Sequence, residues 1–199
     1  MLKLIKLNEC GYDEALLGMS LSFYDHAEPL DKWWDDDKMT RAVRRANALA
    51  FKGGGHNKFL ESISIHLYIQ ATRGFWSEFD TYRVGMTKNS SSTMHTLDKR
   101  PTDINDYASG TSQLSIDAFN ICLLEYKDPE SQYYKDITRL KCNLPEGWLQ
   151  ERQISTNYMV LQNILKQREG HRLKYWKQFS ESLLEQVDHP ELLIRNTNE

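Results

Sequence analysis

Apolar and polar positions alternate most regularly over Ser62 to Ile69. Ile63, Ile65, Leu67 and Ile69 fall on one side, and Ser64, His66 and Tyr68 on the other. That two-residue period is the pattern of a half-buried strand. Leu2 to Leu7 alternates more weakly and predicts a first strand, and Gln153 to Thr156 predicts a short late one. Helical spacing predicts helices over Asp13 to Tyr24, Met39 to Phe51 and Arg73 to Arg83. It predicts two more over Ala118 to Lys127 and Ser131 to Lys141, divided at Pro129, and two closing helices over Asn157 to Arg168 and Lys174 to Val187. Thr87 to Thr93 (TKNSSST) has no apolar period and predicts a polar loop. Strands and helices mix without a regular βαβ rhythm. The expected class is therefore α/β (α+β), with a mixed, largely antiparallel sheet packed with helices, rather than a doubly wound fold.

Local chemistry refines the boundaries. Asp35, Asp36 and Asp37 precede the second helix. Three adjacent carboxylates cannot all face one ion, but they offset the positive N-terminal end of a helix, so capping is expected rather than a metal. Gly53, Gly54 and Gly55 form a plausible helix stop. The run GGGHNKF matches neither GxxxxGK[ST] nor GxGxxG. The six histidines form no ligand pair, and no GxSxG or Cys/His signature supports a side-chain nucleophile.

With 199 residues the chain fits one domain, 1–199. The 25 basic and 28 acidic residues leave a net charge of -3, which gives no electrostatic footprint for duplex DNA or an anionic membrane. A small anionic ligand needs only a local cluster of donors. Cys10, Cys122 and Cys142 are widely spaced, with no CxxC. Free thiols in a reducing cytoplasm are the simple expectation. The N-terminal MLKLIKLNEC lacks the features of a signal peptide, and no apolar stretch has the length of a membrane span.

Two regions carry candidate chemistry. On a helix turning about 100° per residue from Asn157, Val160, Leu161, Ile164 and Leu165 cluster on one face, and Arg168 falls at about 20°. Asn157 and Arg168 then share the core-facing side, roughly 16 Å apart along the axis. A core-facing arginine needs a partner, either an internal carboxylate or an anionic ligand such as a phosphate. The second region, Trp76 to His95, places an aromatic helix before a loop of hydroxyls and amides. Aromatic faces can stack on a planar ring and such a loop can hold phosphate oxygens; a core helix followed by a surface loop has the same pattern.

The spacing N-x5-N-x4-R from Asn157 through Asn163 to Arg168 resembles the C-terminal pattern of the flavin-dependent thymidylate synthases. RLKCNLP supplies Arg139 before Leu144-Pro145, a slightly longer gap than that family's. Gly55-His56 with Glu61 resembles its GHxSPxEH segment. Its signature RHRxxSxNExSxRY falls on TYRVGMTKNSSSTM, Thr81 to Met94. There Arg83 and Ser91 match, while Thr81, Tyr82, Asn89, Thr93 and Met94 depart from it. Glu78 stands where a glutamine usually faces the nucleotide. The resemblance covers nearly the whole chain and is that of a divergent, phage-like branch.

The resemblance implies FAD, with NADPH and methylenetetrahydrofolate as further reactants, and a pyrimidine deoxynucleotide, dUMP in the family, methylated or otherwise modified at C5/C6. It implies His56, Arg83, Asn157 and Asn163 at the flavin, and Glu78, Ser91, Arg139 and Arg168 at the nucleotide, with Arg168 and Ser91 at the reacting base. It places Asn157, Asn163, Arg168 and Arg139 in one inward-facing polar cluster, in a site formed between subunits of a cytoplasmic homotetramer. Thr93 lacks the phosphate-binding guanidinium of the signature, and Thr81 lacks a positive charge beside the flavin. An enzyme and a non-catalytic nucleotide-binding or interaction protein on the same scaffold therefore both remain open.

Overall fold

The computed structural model describes residues 2–23, 29 and 35–195. Four strands form an open antiparallel sheet in the order β1-β2-β4-β3: β1 (Lys3–Cys10), β2 (Ser64–Thr72), β3 (Thr87–Ser90) and β4 (Leu149–Asn157). The longer helices are α1 (Tyr12–Ser20), α2 (Asp36–Leu49), α3 (Arg73–Phe79), α5 (Gln113–Lys127), α7 (Tyr158–Arg168) and α8 (Lys174–Leu184), with short α4 (Thr93–Thr96) and α6 (Ile137–Cys142). Mixed strands and helices with antiparallel pairing are the expected class. Among the described residues no helix is long and apolar enough to cross a membrane.

The chain falls into two compact units, each described by itself. The first contains the described residues of Met1–Leu4, Tyr68–Thr81 and Lys88–Gln153. Its α3 buries Phe75, Trp76 and Phe79, whose rings meet edge-on and tilted at 5.3–5.5 Å. Leu97, Phe119, free Cys122, Leu123, Leu140 and Leu144 form an apolar cluster between α5 and α6. The predicted helix over Ser131 to Lys141 begins late, at Ile137. Lys135 has φ 57, outside the right-handed helical region, and Asp136 caps the new helix by accepting from Arg139 N at 3.0 Å. The predicted helix over Arg73 to Arg83 likewise stops at Phe79.

The second unit contains the described residues of Ile5–Leu67, Tyr82–Thr87 and Ile154–Glu199. Ile63, Ile65 and Leu67 are fully buried, as the alternation requires. Helix α1 packs on α2 and on the turn Lys58–Ser62, which α7 also contacts. Asp35 caps α2 by accepting from Asp37 N and Lys38 N, the role expected of the acidic run. The helix ends at Leu49, ahead of the glycines. Gly11, at φ 90, lies so close to the Ser62 carbonyl that a Cβ would collide with it. Buried Gln162 donates to the carbonyls of Ala50 (3.1 Å) and Leu192 (2.7 Å), tying α7 to the end of α2 and to the C-terminal turn. Helix α1 gives way to a 3-10 turn at Leu21–Phe23, and Tyr24, the predicted helix end, lies outside the described residues.

TKNSSST corrects one expectation. Thr87–Ser90 is the edge strand β3, and Ser91 N continues the pairing by donating to Glu151 O at 2.9 Å. An edge strand with a wet outer side needs backbone partners, not apolar alternation, so its side chains give no period.

Candidate functional site

One cleft in the second unit gathers polar side chains. Its volume is about 490 Å³, within the range of small-molecule sites. Ser64 and His66 come from the face of β2 opposite the buried isoleucines, and Ser155, Thr156 and Asn157 from the end of β4. Arg83, Gly85, Met86 and Thr87 line the remaining side with Glu61.

Local geometry explains why these groups converge. Asn157 ends β4 in an extended conformation and caps α7, its Oδ1 accepting from Val160 N at 3.1 Å. That bond commits the acceptor of the amide and leaves its NH₂ group as the cleft-side donor. Gly85 lies against the first turn of α7. Thr156 Oγ1 donates to the Gly85 carbonyl at 2.9 Å, and a Cβ on Gly85, itself at φ 68, would stand 2.8 Å from Val160 Cγ2. Glycine is therefore required for this close approach. Across the strands, His66 Nδ1 lies 2.9 Å from Ser155 Oγ.

At the other end of α7, half-buried Arg168 is enclosed by aromatic side chains. Its Nε donates to Tyr82 Oη at 2.8 Å, and Nη1 lies 3.2 Å from His171 Nε2. Its guanidinium carbon stands 4.3 Å from the Trp176 ring centroid and 5.5 Å from that of Tyr82. Beneath the start of α7, Tyr158 Oη donates to Glu9 Oε1 at 2.5 Å and accepts from His189 N at 3.2 Å. Burial and then the Glu9 carboxylate push the Tyr158 phenol well above its ordinary value, so it stays protonated.

The predicted site residues divide. Arg83 and Asn157 meet in the cleft. His56 is exposed in the glycine turn. Asn163 is exposed too, which corrects its place in an inward-facing cluster: six residues on from Asn157 the helix has turned about 240°, onto the opposite face. Glu78, Ser91 and Arg139 belong to the first unit. Arg139 also departs from that cluster, because it pairs with Glu125 on α5 and lies 3.7 Å over the Tyr133 ring. The half-buried Glu78 accepts from Thr81 N and Oγ1 through its carbonyl. Ser91 is exposed and its carbonyl accepts from Gln150 Nε2 at 3.0 Å.

The sequence pattern did not point to His66, Ser155 or the neighbouring Ser64 and Thr156 as cleft residues. The signal was the strand alternation, which had already put His66 on the polar face of β2. The first unit holds another unforeseen group. Arg152 donates to both oxygens of Asp80 at 2.8 and 3.0 Å, Lys88 donates to Asp80 at 3.1 Å, and Arg152 lies 4.3 Å over the Trp76 ring. Partial burial raises the Asp80 carboxyl, but the hydrogen bonds from Arg152 and Lys88 outweigh it and hold the group below its ordinary value. Nearby Tyr68 is pushed up to about 12 by burial and then by Glu151.

No family model matches the chain, and no curated protein matches its sequence. Its fold does match solved structures. A crystal structure of the flavin-dependent thymidylate synthase from Helicobacter pylori, complexed with FAD and dUMP, aligns at TM-score 0.72 and 16% identity, covering 96% of this chain and 97% of that one. A second structure of thymidylate synthase X from Helicobacter pylori, with FAD and dUMP, aligns at TM-score 0.70 and 16% identity, covering 98% of each chain. The chain is similar to these enzymes in fold over nearly its whole length.

Proposed function

We propose that the chain binds FAD and a pyrimidine deoxynucleotide of the dUMP type and modifies the base at C5/C6, as a divergent, phage-like relative of the flavin-dependent thymidylate synthases. The observation that carries this reading is the convergence of Arg83 and Asn157 on one cleft within a fold shared with FAD- and dUMP-bound enzymes. The donor set fits a flavin. The cleft offers the Asn157 amide, the His66 ring and the Ser64 hydroxyl, which suit the hydrogen-bonding edge of its ring system, and Arg83 suits an anionic group at the rim. A bound flavin supplies hydride, with NADPH as its reductant and methylenetetrahydrofolate as one-carbon donor. Arg83 and Asn157 hold the flavin from this cleft, and exposed His56 and Asn163, which lie outside it, reach the flavin of a neighbouring copy in the oligomer. Glu78, Ser91, Arg139 and Arg168 bind the nucleotide, and Arg168 and Ser91 orient the reacting base.

The chain acts as one domain in a cytoplasmic homo-oligomer, a tetramer by analogy. Exposed Leu114, Ile121 and Leu124 on α5 support contact with a second copy, and light scattering checks it. A non-catalytic nucleotide-binding protein is the second reading, favoured by the engagement of Arg139 with Glu125 and Tyr133. The visible spectrum of the purified protein, with and without added FAD, is the first test. Flavin absorbance that bleaches with NADPH and recovers in air is expected of the enzyme. A protein that takes up FAD and dUMP without turnover indicates the second reading, and one that takes up neither contradicts both.

A further inference from the structure

The charged side chains lining the cleft among the described residues are Glu61 and Arg83, and their charges cancel. Other polar groups there are hydroxyls, an imidazole and an amide. A phosphate dianion would meet the Glu61 carboxylate with a single guanidinium to offset it. A neutral planar ring, with N–H and carbonyl groups along one edge, meets no such opposition.

His66 is placed to read that edge. Ile65 and Leu67 turn into the core on either side of it, so β2 holds the imidazole on the opposite face. The 2.9 Å contact with Ser155 Oγ fixes the ring and commits Nδ1. Nε2 makes no hydrogen bond to the described residues. If Nδ1 carries the proton, Nε2 accepts from a ligand N–H; if Ser155 donates to Nδ1, Nε2 carries the proton and donates to a ligand carbonyl. An imide presents an N–H between two carbonyls, so it satisfies the ring in either tautomer. The Asn157 NH₂ group, freed by the helix cap, can donate to a second carbonyl.

We propose that His66, oriented by Ser155, hydrogen-bonds the imide edge of a pyrimidine-type ring seated in this cleft, so that the cleft recognises the ring and not a phosphate. The proposal rests on the flavin and nucleotide reading above. The imide is common to the flavin ring system and to uracil, and the test separates these two sources.

Riboflavin and deoxyuridine carry the imide without phosphate. The full-length protein is titrated with each, with their N3-methyl forms and with inorganic phosphate, by fluorescence and competition. At least one parent compound is expected to bind, riboflavin marking the flavin as the source and deoxyuridine the nucleotide. Its N3-methyl form, which lacks the N–H and crowds the approach of the imidazole to either flanking carbonyl, binds about tenfold more weakly in both tautomers, and phosphate does not compete. His66→Ala weakens the parent about tenfold and abolishes the penalty for N3-methylation, which a structural role for His66 would leave in place. His66→Gln restores part of the binding, and Ser155→Ala costs about threefold. If His66→Ala fails to fold, as a thermal melt would reveal, the N3-methyl comparison on the wild type decides. Equal binding of the parent by wild type and His66→Ala, no penalty for N3-methylation, or competition by phosphate each overturns the proposal and leaves the functional reading standing. Uptake of FAD or dUMP without either phosphate-free compound does the same. Failure to bind FAD and dUMP as well overturns both.

Discussion

The two ends of α7 began as equals and differ in what surrounds them. Asn157 and Arg168 fall on the same side of the helix. At the N-terminal end, Asn157 spends its oxygen on the cap and presents its amide donors to a cleft. At the C-terminal end, Arg168 is packed among Tyr82, His171 and Trp176. One segment serves both ends: Tyr82 meets Arg168, while Arg83 and Gly85 border the cleft. Periodicity therefore places a side chain on a face, and only tertiary neighbours decide what that side chain meets there.

The comparison breaks most completely if α7 itself is loosened. Leu161 is fully buried, and Leu161→Ala is expected to cost roughly 2–5 kcal/mol in denaturant unfolding and to impair both ends together. A smaller change acts at the start of the helix. Tyr158→Phe removes the hydrogen bond to Glu9, with an expected loss of roughly 1–3 kcal/mol. The same pair sets an alkaline limit. The folded-state value of Tyr158 is raised, so its contribution is fully present below the ordinary tyrosine value near 10 and is lost as pH rises through the folded value. Tyr158→Phe should therefore flatten the decline of stability above about pH 10.

Arg168→Ala tests the enclosed end. Loss of the aromatic contacts should lower stability by roughly 0.5–2 kcal/mol and leave FAD uptake close to wild type, while weakening dUMP binding. The smallest expected effect belongs to Asp80, in the first unit. Its folded value is lowered, so its contribution is present above the ordinary value of 3.8 and is lost as pH falls through the folded value. Asp80→Asn should thus raise the pH midpoint of acid unfolding slightly, and an unchanged midpoint would show that its exposed pairs with Arg152 and Lys88 contribute nothing measurable.

Much of this was legible in the chain. The alternation through Ile63, Ile65 and Leu67 marked β2, and Asp35 and Asn157 each stand at a helix start they cap. The helical wheel placed Arg168 beside Asn157, and the same wheel would have set Asn163 on the far face. Only the family resemblance points to Asn163. The strand β3 was hidden because its partners are backbone groups. The pairing of Arg139 with Glu125 joins two helices, and no periodicity within either one reveals it. The cleft was half visible: His66 was assigned to the polar face of β2, but Ser155 comes beside it only through the pairing of β2 with β4.

A titration of FAD into wild type and Asn157→Asp tests the central claim most directly. Aspartate keeps the capping acceptor and replaces the amide donors with a second oxygen, so the helix end should be preserved while the cleft loses its donors. The expected result is saturable uptake by the wild type, about tenfold weaker uptake by the variant, and closely similar unfolding midpoints. Equal affinity in the two proteins would contradict the assignment of this end of α7 to the flavin.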